Sequence, residues 1–399
     1  VISSQKAVES NNSSKQGSQL AGIFVSTDCW KWNAYCVLMK LMYHFISSYN
    51  GMKHIMKRPT IADLAQASGV SIATVNRILG GTGAVRAETI ERVQNAAEEI
   101  GFYGRGVIED RRQRLLPNYR FGFLLQQSSR ELYRLFGSKI TEAAARRQHE
   151  KVVAVVDFVD VLEPQNIADR LEALGKRCDA VAVIAGDHPL IGQTIQSLKE
   201  RGKPVVAYIT DQSARDRAGF VGTDNWKLGR TAAWFLAQTT PTPGRIAVFI
   251  GNHRYQCQDV SDASFRSYMR EHAPHLQVDD SRPTHEEPEE AYRIVSQLLS
   301  ELDDLRGIFI VGGGISGVLR ALREAPVEKR DKVRVVCRDI GPETRKGLTE
   351  GLIMAALCHP LDQISDELIA TMIAALEHRD STTILQRVVP FETITPESV

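Results

Sequence analysis

Apolar positions change period along the chain. From Phe121 onward, nearly continuous Val/Ile-rich runs at 121–126, 151–159, 180–186, 204–210, 245–252, 307–313, 334–339 and 354–359 alternate with helical patterns. Such runs, separated by helices, predict parallel strands buried on both faces. About 280 residues are available, enough for two such units. The expectation is therefore two doubly wound parallel-sheet α/β lobes, with ligand groups at the carboxyl ends of the strands.

Residues 59–104 follow a helical period instead. Leu64 and Ala65, then Val75, Ile78 and Leu79, then Ile90, Val93, Ala97 and Ile100 fall on single helix faces and predict a three-helix core. Thr60 and Ser71 stand where N-caps are needed, and Gly69 with Val70 forms the turn between the first two helices. Helix, glycine-containing turn, helix is the helix-turn-helix pattern. The second helix leaves Ile72, Ala73, Asn76 and Arg77 facing outward.

No clean period precedes residue 52. Residues 1–19 are polar and rich in Ser and Asn, so residues 1–51 read as an extension that is disordered or non-native. The resulting division is an extension at 1–51, a helix-turn-helix domain at 52–104, a basic linker at 105–119 and a two-lobed domain at 120–399.

Charge and cysteine content narrow the function. The net charge is only +1, yet residues 52–120 hold 11 Lys+Arg against 7 Asp+Glu. A local basic region fits nucleic-acid contact where the whole chain does not. The six cysteines form no C-x-x-C pair, which suggests neither a zinc site nor a disulfide frame. The most membrane-like stretch, 35–46, is short and broken by Lys40 and His44, and it lacks the order of a signal peptide. A cytoplasmic protein without metal, cofactor or membrane partner is expected.

Two further sets of residues carry candidate chemistry. On the outward face, Ile72 can touch a thymine methyl, Asn76 can pair with adenine, and Arg77 can bond guanine or phosphate. Lys57, Arg58 and Arg86 flank it and can hold backbone phosphates. In the α/β part, Gly312, Gly314 and Gly317 match G-x-G-x-x-G, and Asp339 lies downstream as a ribose-binding acid would. That opens an enzyme reading, a nicotinamide-dependent oxidoreductase. The fingerprint comes late in the fold, however, and no nucleophile, base or metal set accompanies it, so an enzyme is not expected. The glycines then read as a turn that lets backbone amides near Gly313 approach a ligand.

The segment resembles the DNA-binding head of the lactose-repressor (LacI/GalR) family through Thr60-Ile61, Asp63-Leu64-Ala65, Ala67, Gly69-Val70-Ser71, Thr74-Val75 and Arg77, then Val85, Thr89 and Val93. The resemblance extends from residue 57 to about 395, the remainder being similar to type I periplasmic-binding-protein domains. It implies one lobe at about 120–222 and 353–377 and the other at about 223–352 and 378–399. In the head it implies base readers at Ile72 and Ala73 and phosphate or base contacts at Thr74, Asn76 and Arg77, with the caps Thr60 and Ser71 counted among the DNA contacts. It also implies a hinge helix, in which Arg111, Arg112 and Arg114 would hold phosphates and Leu115 or Leu116 would wedge a minor-groove step. The usual Pro-Asn and Ala-Arg-x-Leu of that hinge are absent here.

For the effector, the resemblance points to Asp224, Asp339 and His359, with Arg338, Thr210, Asp211 and His253 as further polar candidates. Asp224 is equally readable as a plain N-cap. Trp226, Phe220 or Tyr255 would supply the apolar wall. The implied protein is a regulator, repression being the commoner mode, that binds double-stranded operator DNA and a sugar or polyol. It would act as a homodimer, with a tetramer the alternative. The remaining alternative is a periplasmic-type sugar-binding module.

Overall fold

A computed structural model describes residues 58–378 and 382–399. The expected extension and Lys57 lie outside the described residues. The chain divides into two compact units between Arg112 and Gln113. No helix among the described residues is long and apolar enough to cross a membrane.

The first unit contains α1 (Ile61–Ser68), α2 (Ile72–Gly80) and α3 (Ala87–Glu99). Thr60 caps α1 in a reciprocal box: its hydroxyl accepts from the Asp63 amide, and the Asp63 carboxylate accepts from the Thr60 amide at 2.8 Å. Gly69 then turns the chain at φ 65°, a left-handed conformation that glycine adopts without strain. Ser71 caps α2, its hydroxyl accepting from the Thr74 amide. Leu64, Val75, Ile78, Ile90, Val93 and Phe102 are fully buried together.

The stretch 105–119, read as a basic linker that the resemblance makes a hinge helix, is largely helical. Arg105–Leu115 form a helix, α4, whose Ile108 is buried in the same core. Of its apolar residues Val107, Ile108 and Leu115 only Ile108 is buried, a weak periodic signal, so the helix is hard to read from its own pattern. It gains its place through tertiary burial.

In the second unit, the first lobe begins with β1 (Asn118–Gln126), α5 (Glu131–Ala145), β2 (Lys151–Val159), α6 (Pro164–Arg177), β3 (Ala180–Val183), α7 (Pro189–Glu200), β4 (Val205–Tyr208) and β5 (Gly219–Thr223). The chain then crosses into α8 (Asn225–Thr239), β6 (Gly244–Ile250), α9 (Gln256–His272), β7 (Leu276–Val278), β8 (Arg282–Pro283), α10 (Pro288–Glu301), β9 (Leu305–Ile310), α11 (Ile315–Glu324), α12 (Val327–Arg330), β10 (Arg334–Arg338), α13 (Pro342–Thr349) and β11 (Ala355–Cys358). It returns as α14 (Leu361–Glu377) and β12 (Leu385–Val389), then crosses a third time to β13 (Glu392–Ile394).

The first sheet has the order β12-β5-β4-β3-β1-β2 and is parallel throughout. The second runs β13-β11-β10-β9-β6-β7, with β8 also on β6, and only β13 is antiparallel. Alternation along β1 shows why helices cover both faces. Phe121, Phe123 and Leu125 pack with Leu368 and Met372 of α14, whereas Leu124 packs with Leu171 of α6 and Ile195 of α7.

The expected lobe boundaries need correction. Strand β11 pairs with β10 in the second lobe, so only α14 of residues 353–377 belongs to the first. Strand β12 pairs with β5 in the first lobe, so the tail is shared rather than wholly in the second. β5, β12 and β13 escaped the apolar pattern because "GFVGT" is glycine-rich and the other two are largely exposed.

Candidate DNA-reading head and effector cleft

The head presents the expected face. Val75 and Ile78 are buried on one side of α2, while Ile72, Ala73, Asn76 and Arg77 are exposed on the other. Ile72 is 51% exposed at the first turn, where its side chain is accessible to a partner. Thr60 and Ser71 serve as caps, and Thr74 is half-buried with its hydroxyl 2.9 Å from that of Ser71. Arg86 is exposed just before α3. On α4 the picture differs from expectation. Arg111 donates to the Gly83 carbonyl at 3.1 Å, and Arg112 makes two 2.9 Å bonds to Glu109. Both guanidiniums are thus engaged inside the head. Leu115 is 43% exposed and Leu116 half-buried, which favours Leu115 of the two wedge candidates.

Between the lobes lies a cavity of about 590 Å³, lined from the carboxyl ends of strands of both sheets. At its floor Arg338, His359 and Asp339 form a fixed array. Arg338 is 4% exposed and His359 3%. Arg338 Nη2 donates to Thr223 Oγ1 at 3.2 Å and to His359 Nε2 at 2.8 Å. A guanidinium cannot accept, so Nε2 must be the unprotonated nitrogen of the ring. His359 Nδ1 therefore carries the proton and donates to Asp339 Oδ1 at 2.5 Å. The same oxygen accepts the His359 amide at 3.1 Å. Burial, with Arg338 alongside, lowers the His359 pKa against the pull of Asp339 and keeps the ring neutral. Burial alone would raise the Asp339 carboxyl, but the His359 ring and amide and the Arg338 guanidinium outweigh it and hold it below its ordinary value. Arg338 Nε and Nη1 have no hydrogen-bond partner among the described residues.

Backbone strain gathers at the same place. Positive φ occurs at Gln127, Ile209, Glu286 and Asp339, all of which line the cavity. A β-branched residue such as Ile209 at φ 66° is a true outlier, and such strain persists only where surroundings impose it.

Five of the expected effector residues line this cavity or its floor: Thr210, Gly313, Arg338, Asp339 and His359, and Tyr255 supplies part of the wall. Four do not. Asp211 is taken by Arg217 through bonds of 2.7 and 3.0 Å. Asp224 is the N-cap of α8, accepting the Lys227 amide at 3.0 Å and pairing with its ammonium. Trp226 is 49% exposed on α8, and His253 stands in solvent 3.5 Å from Asp259. Phe220 is buried away from the lining.

The cavity adds residues that sequence reasoning missed, chiefly Arg130, Tyr133, Gln258 and Glu286. Arg130 reads as a loop residue before a helix, and Glu286 as one more acid in "THEEPEE". A signal did exist in the glycines. A Cβ at Gly313 would lie 2.0 Å from Glu286 Oε2, and one at Gly251 1.7 Å from Glu286 Oε1. The other fingerprint glycines also have packing roles. Gly312 faces the Gly251 amide, Gly314 starts α11 at φ 98°, and a Cβ at Gly317 would meet the Pro288 carbonyl at 1.8 Å. The loop thus makes room for protein groups as well as facing the cleft. Burial pushes up the Cys257, Cys337 and Cys358 thiols, which keeps them protonated.

Comparison with known proteins agrees with both parts. Residues 60–104 match "Bacterial regulatory proteins, lacI family", and residues 121–380 match "Periplasmic binding protein domain". The chain is 28% identical over 291 residues to the HTH-type transcriptional regulator GalR of Lacticaseibacillus casei, covering 69% of this chain and 81% of the relative. It is 24% identical over 200 residues to the sucrose operon repressor of Pediococcus pentosaceus, covering 49% and 55%. Among solved structures, an ABC transporter solute binding protein from Burkholderia graminis C4D1M in complex with D-arabinose superimposes with a TM-score of 0.63 at 17% identity, covering 70% of this chain and 96% of that one.

Proposed function

The chain belongs to the lacI family of bacterial regulatory proteins and carries a periplasmic binding protein domain, and from that premise we propose that it is a repressor released or engaged by a neutral sugar or polyol. It is a DNA-binding transcriptional regulator. The finer reading rests chiefly on the Arg338–His359–Asp339 array. Arg338 Nε and Nη1 offer donors, and Asp339 Oδ2 offers an acceptor beside them. A hydroxyl both accepts and donates, so neighbouring hydroxyls satisfy such a set where a purely anionic or apolar ligand does not. Phe136, Tyr133 and Tyr255 supply an apolar wall for the C–H face. Glu131, Glu286, Glu287, Asp339 and Glu343 outnumber Arg130, Arg134 and Arg338 around the cavity, which disfavours phosphorylated and carboxylated sugars.

In this reading Ile72, Ala73, Asn76 and Arg77 contact bases or nearby phosphates, Thr74 and Arg86 hold the backbone, and Leu115 enters the minor groove. The working form is a cytoplasmic homodimer on a near-palindromic operator. The effector changes operator affinity because it binds one lobe arrangement better than the other. The cleft acts as a sensor and turns nothing over. The test is a thermal-shift series with sucrose, D-arabinose, other neutral sugars and polyols, and glucose 6-phosphate. A neutral compound should raise Tm in the native chain and lose the effect in Arg338→Ala. A shift by glucose 6-phosphate alone rejects the neutral-ligand reading.

A further inference from the structure

We propose that Arg130 and Glu286 are positioning residues of the cleft: their ion pair, seated on two bare glycines, ties the lobes together and sets how far the cleft closes. Arg130 precedes α5 in the first lobe, and Glu286 follows β8 in the second. Arg130 Nη1 lies 2.6 Å from Glu286 Oε2. Glu286 is anchored on its own side. Gln258 Nε2 donates to its Oε1 at 2.9 Å, and Gln258 Oε1 accepts the Gly251 amide at 2.6 Å. The carboxylate is therefore a fixed part of the second lobe that reaches across to the first.

Glu286 is only 5% exposed, and a buried carboxylate stripped of its cation is strongly disfavoured. Opening the cleft separates these partners, so the pair opposes opening. The glycines belong to the same device. A Cβ at Gly313 would fall 2.0 Å from Glu286 Oε2 and 2.5 Å from Arg130 Nη1, and a Cβ at Gly251 would strike the other carboxylate oxygen. Neither glycine has positive φ, so an alanine there conflicts with the ion pair rather than with the backbone. Neutral contacts cross the cleft elsewhere, including Gln126 Nε2 to Tyr255 Oη at 2.9 Å and the Asp187 amide to the Arg254 carbonyl at 2.8 Å. The Asp187 amide is a reporter, because it is protected by the opposite lobe. The inference concerns lobe geometry and stands whatever the ligand is.

The experiment is amide hydrogen exchange on the full chain, read in the segment containing Asp187, with strand β3 as an internal control for global stability. Glu286→Gln keeps the shape and removes the charge, and it should speed exchange at Asp187 about tenfold or more without changing β3. Arg130→Gln should match it, and Arg130→Lys should stay within about threefold of the parent. Gly313→Ala should act like Glu286→Gln, yet add less than about twofold in a Glu286→Ala background. Unchanged exchange at Asp187 in Glu286→Gln overturns the proposal. So does a Gly313→Ala effect of equal size with and without Glu286. Should Gly313→Ala fail to fold, the two charge-removing variants and Arg130→Lys still decide it.

Discussion

The head and the cleft solve recognition in opposite ways. In the head, one nine-residue helix presents the face proposed to read bases to solvent, and its inner face is fixed by residues within a span of about 50 positions. In the cleft, the working groups are buried and come from distant places: Arg338 is bonded to Thr223, 115 positions away, and Arg130 to Glu286, 156 away. A face built by local periodicity can be altered one residue at a time. An array of buried, mutually bonded charges cannot, since removing one member leaves the others unpaired.

That contrast sets the size of the expected effects. Arg338→Ala should weaken effector binding by about 3 kcal/mol, roughly 150-fold, because it deletes buried charge-assisted donors and unseats His359. Calorimetric titration checks this, with operator affinity in the absence of effector staying within about twofold. Arg77→Ala should do the converse, costing about 1–3 kcal/mol of specific DNA affinity while leaving effector binding untouched. Fluorescence anisotropy on operator and scrambled fragments reads it. If Arg77→Ala weakens both fragments equally, Arg77 contacts phosphate only.

Acid sharpens the comparison further. The folded His359 pKa is lowered, so the unfolded chain binds its proton first as pH falls. The stability that neutral His359 provides is complete above its unfolded pKa of about 6.5 and is lost as pH drops below that toward the folded value. The effector domain should lose up to about 1.4 kcal/mol per pH unit there, and His359→Gln should flatten that portion of the profile in pH-dependent denaturant melts. Asp339, whose folded pKa is also lowered, adds a loss at still lower pH. Thr60→Ala carries the smallest effect. It removes the α1 capping box and should cost the head about 1 kcal/mol, with no change in effector affinity.

The same contrast governs what was legible in the sequence. Caps at Thr60 and Ser71, the turn at Gly69 and the outward set Ile72, Ala73, Asn76 and Arg77 depend on neighbours a few positions away, so pattern alone placed them. The strand-end rule placed Arg338 and Asp339 in the cleft, since parallel sheets gather ligand groups at their carboxyl edges, and the resemblance added His359. Asp211 at a strand end and Asp224 from the resemblance do not line the cavity, because a local arginine and a helix N-terminus claim their oxygens first. Arg130 and Glu286 carried no local signal of pairing. The trace they left was indirect, in glycines that resemble a cofactor fingerprint because they too admit a close approach. The α4 helix was implied only by the resemblance and not by its own pattern, because a single buried isoleucine holds it to the head.

The central claim is that occupancy of the cleft controls the head. Its most direct test is operator binding by anisotropy, with and without the sugar that gives the largest thermal shift, for the parent chain and Arg338→Ala side by side. Operator affinity should change by at least about fivefold for the parent and not at all for Arg338→Ala, at equal affinity without sugar. An equal sugar response in both proteins, or none in the parent at saturating sugar, would contradict it.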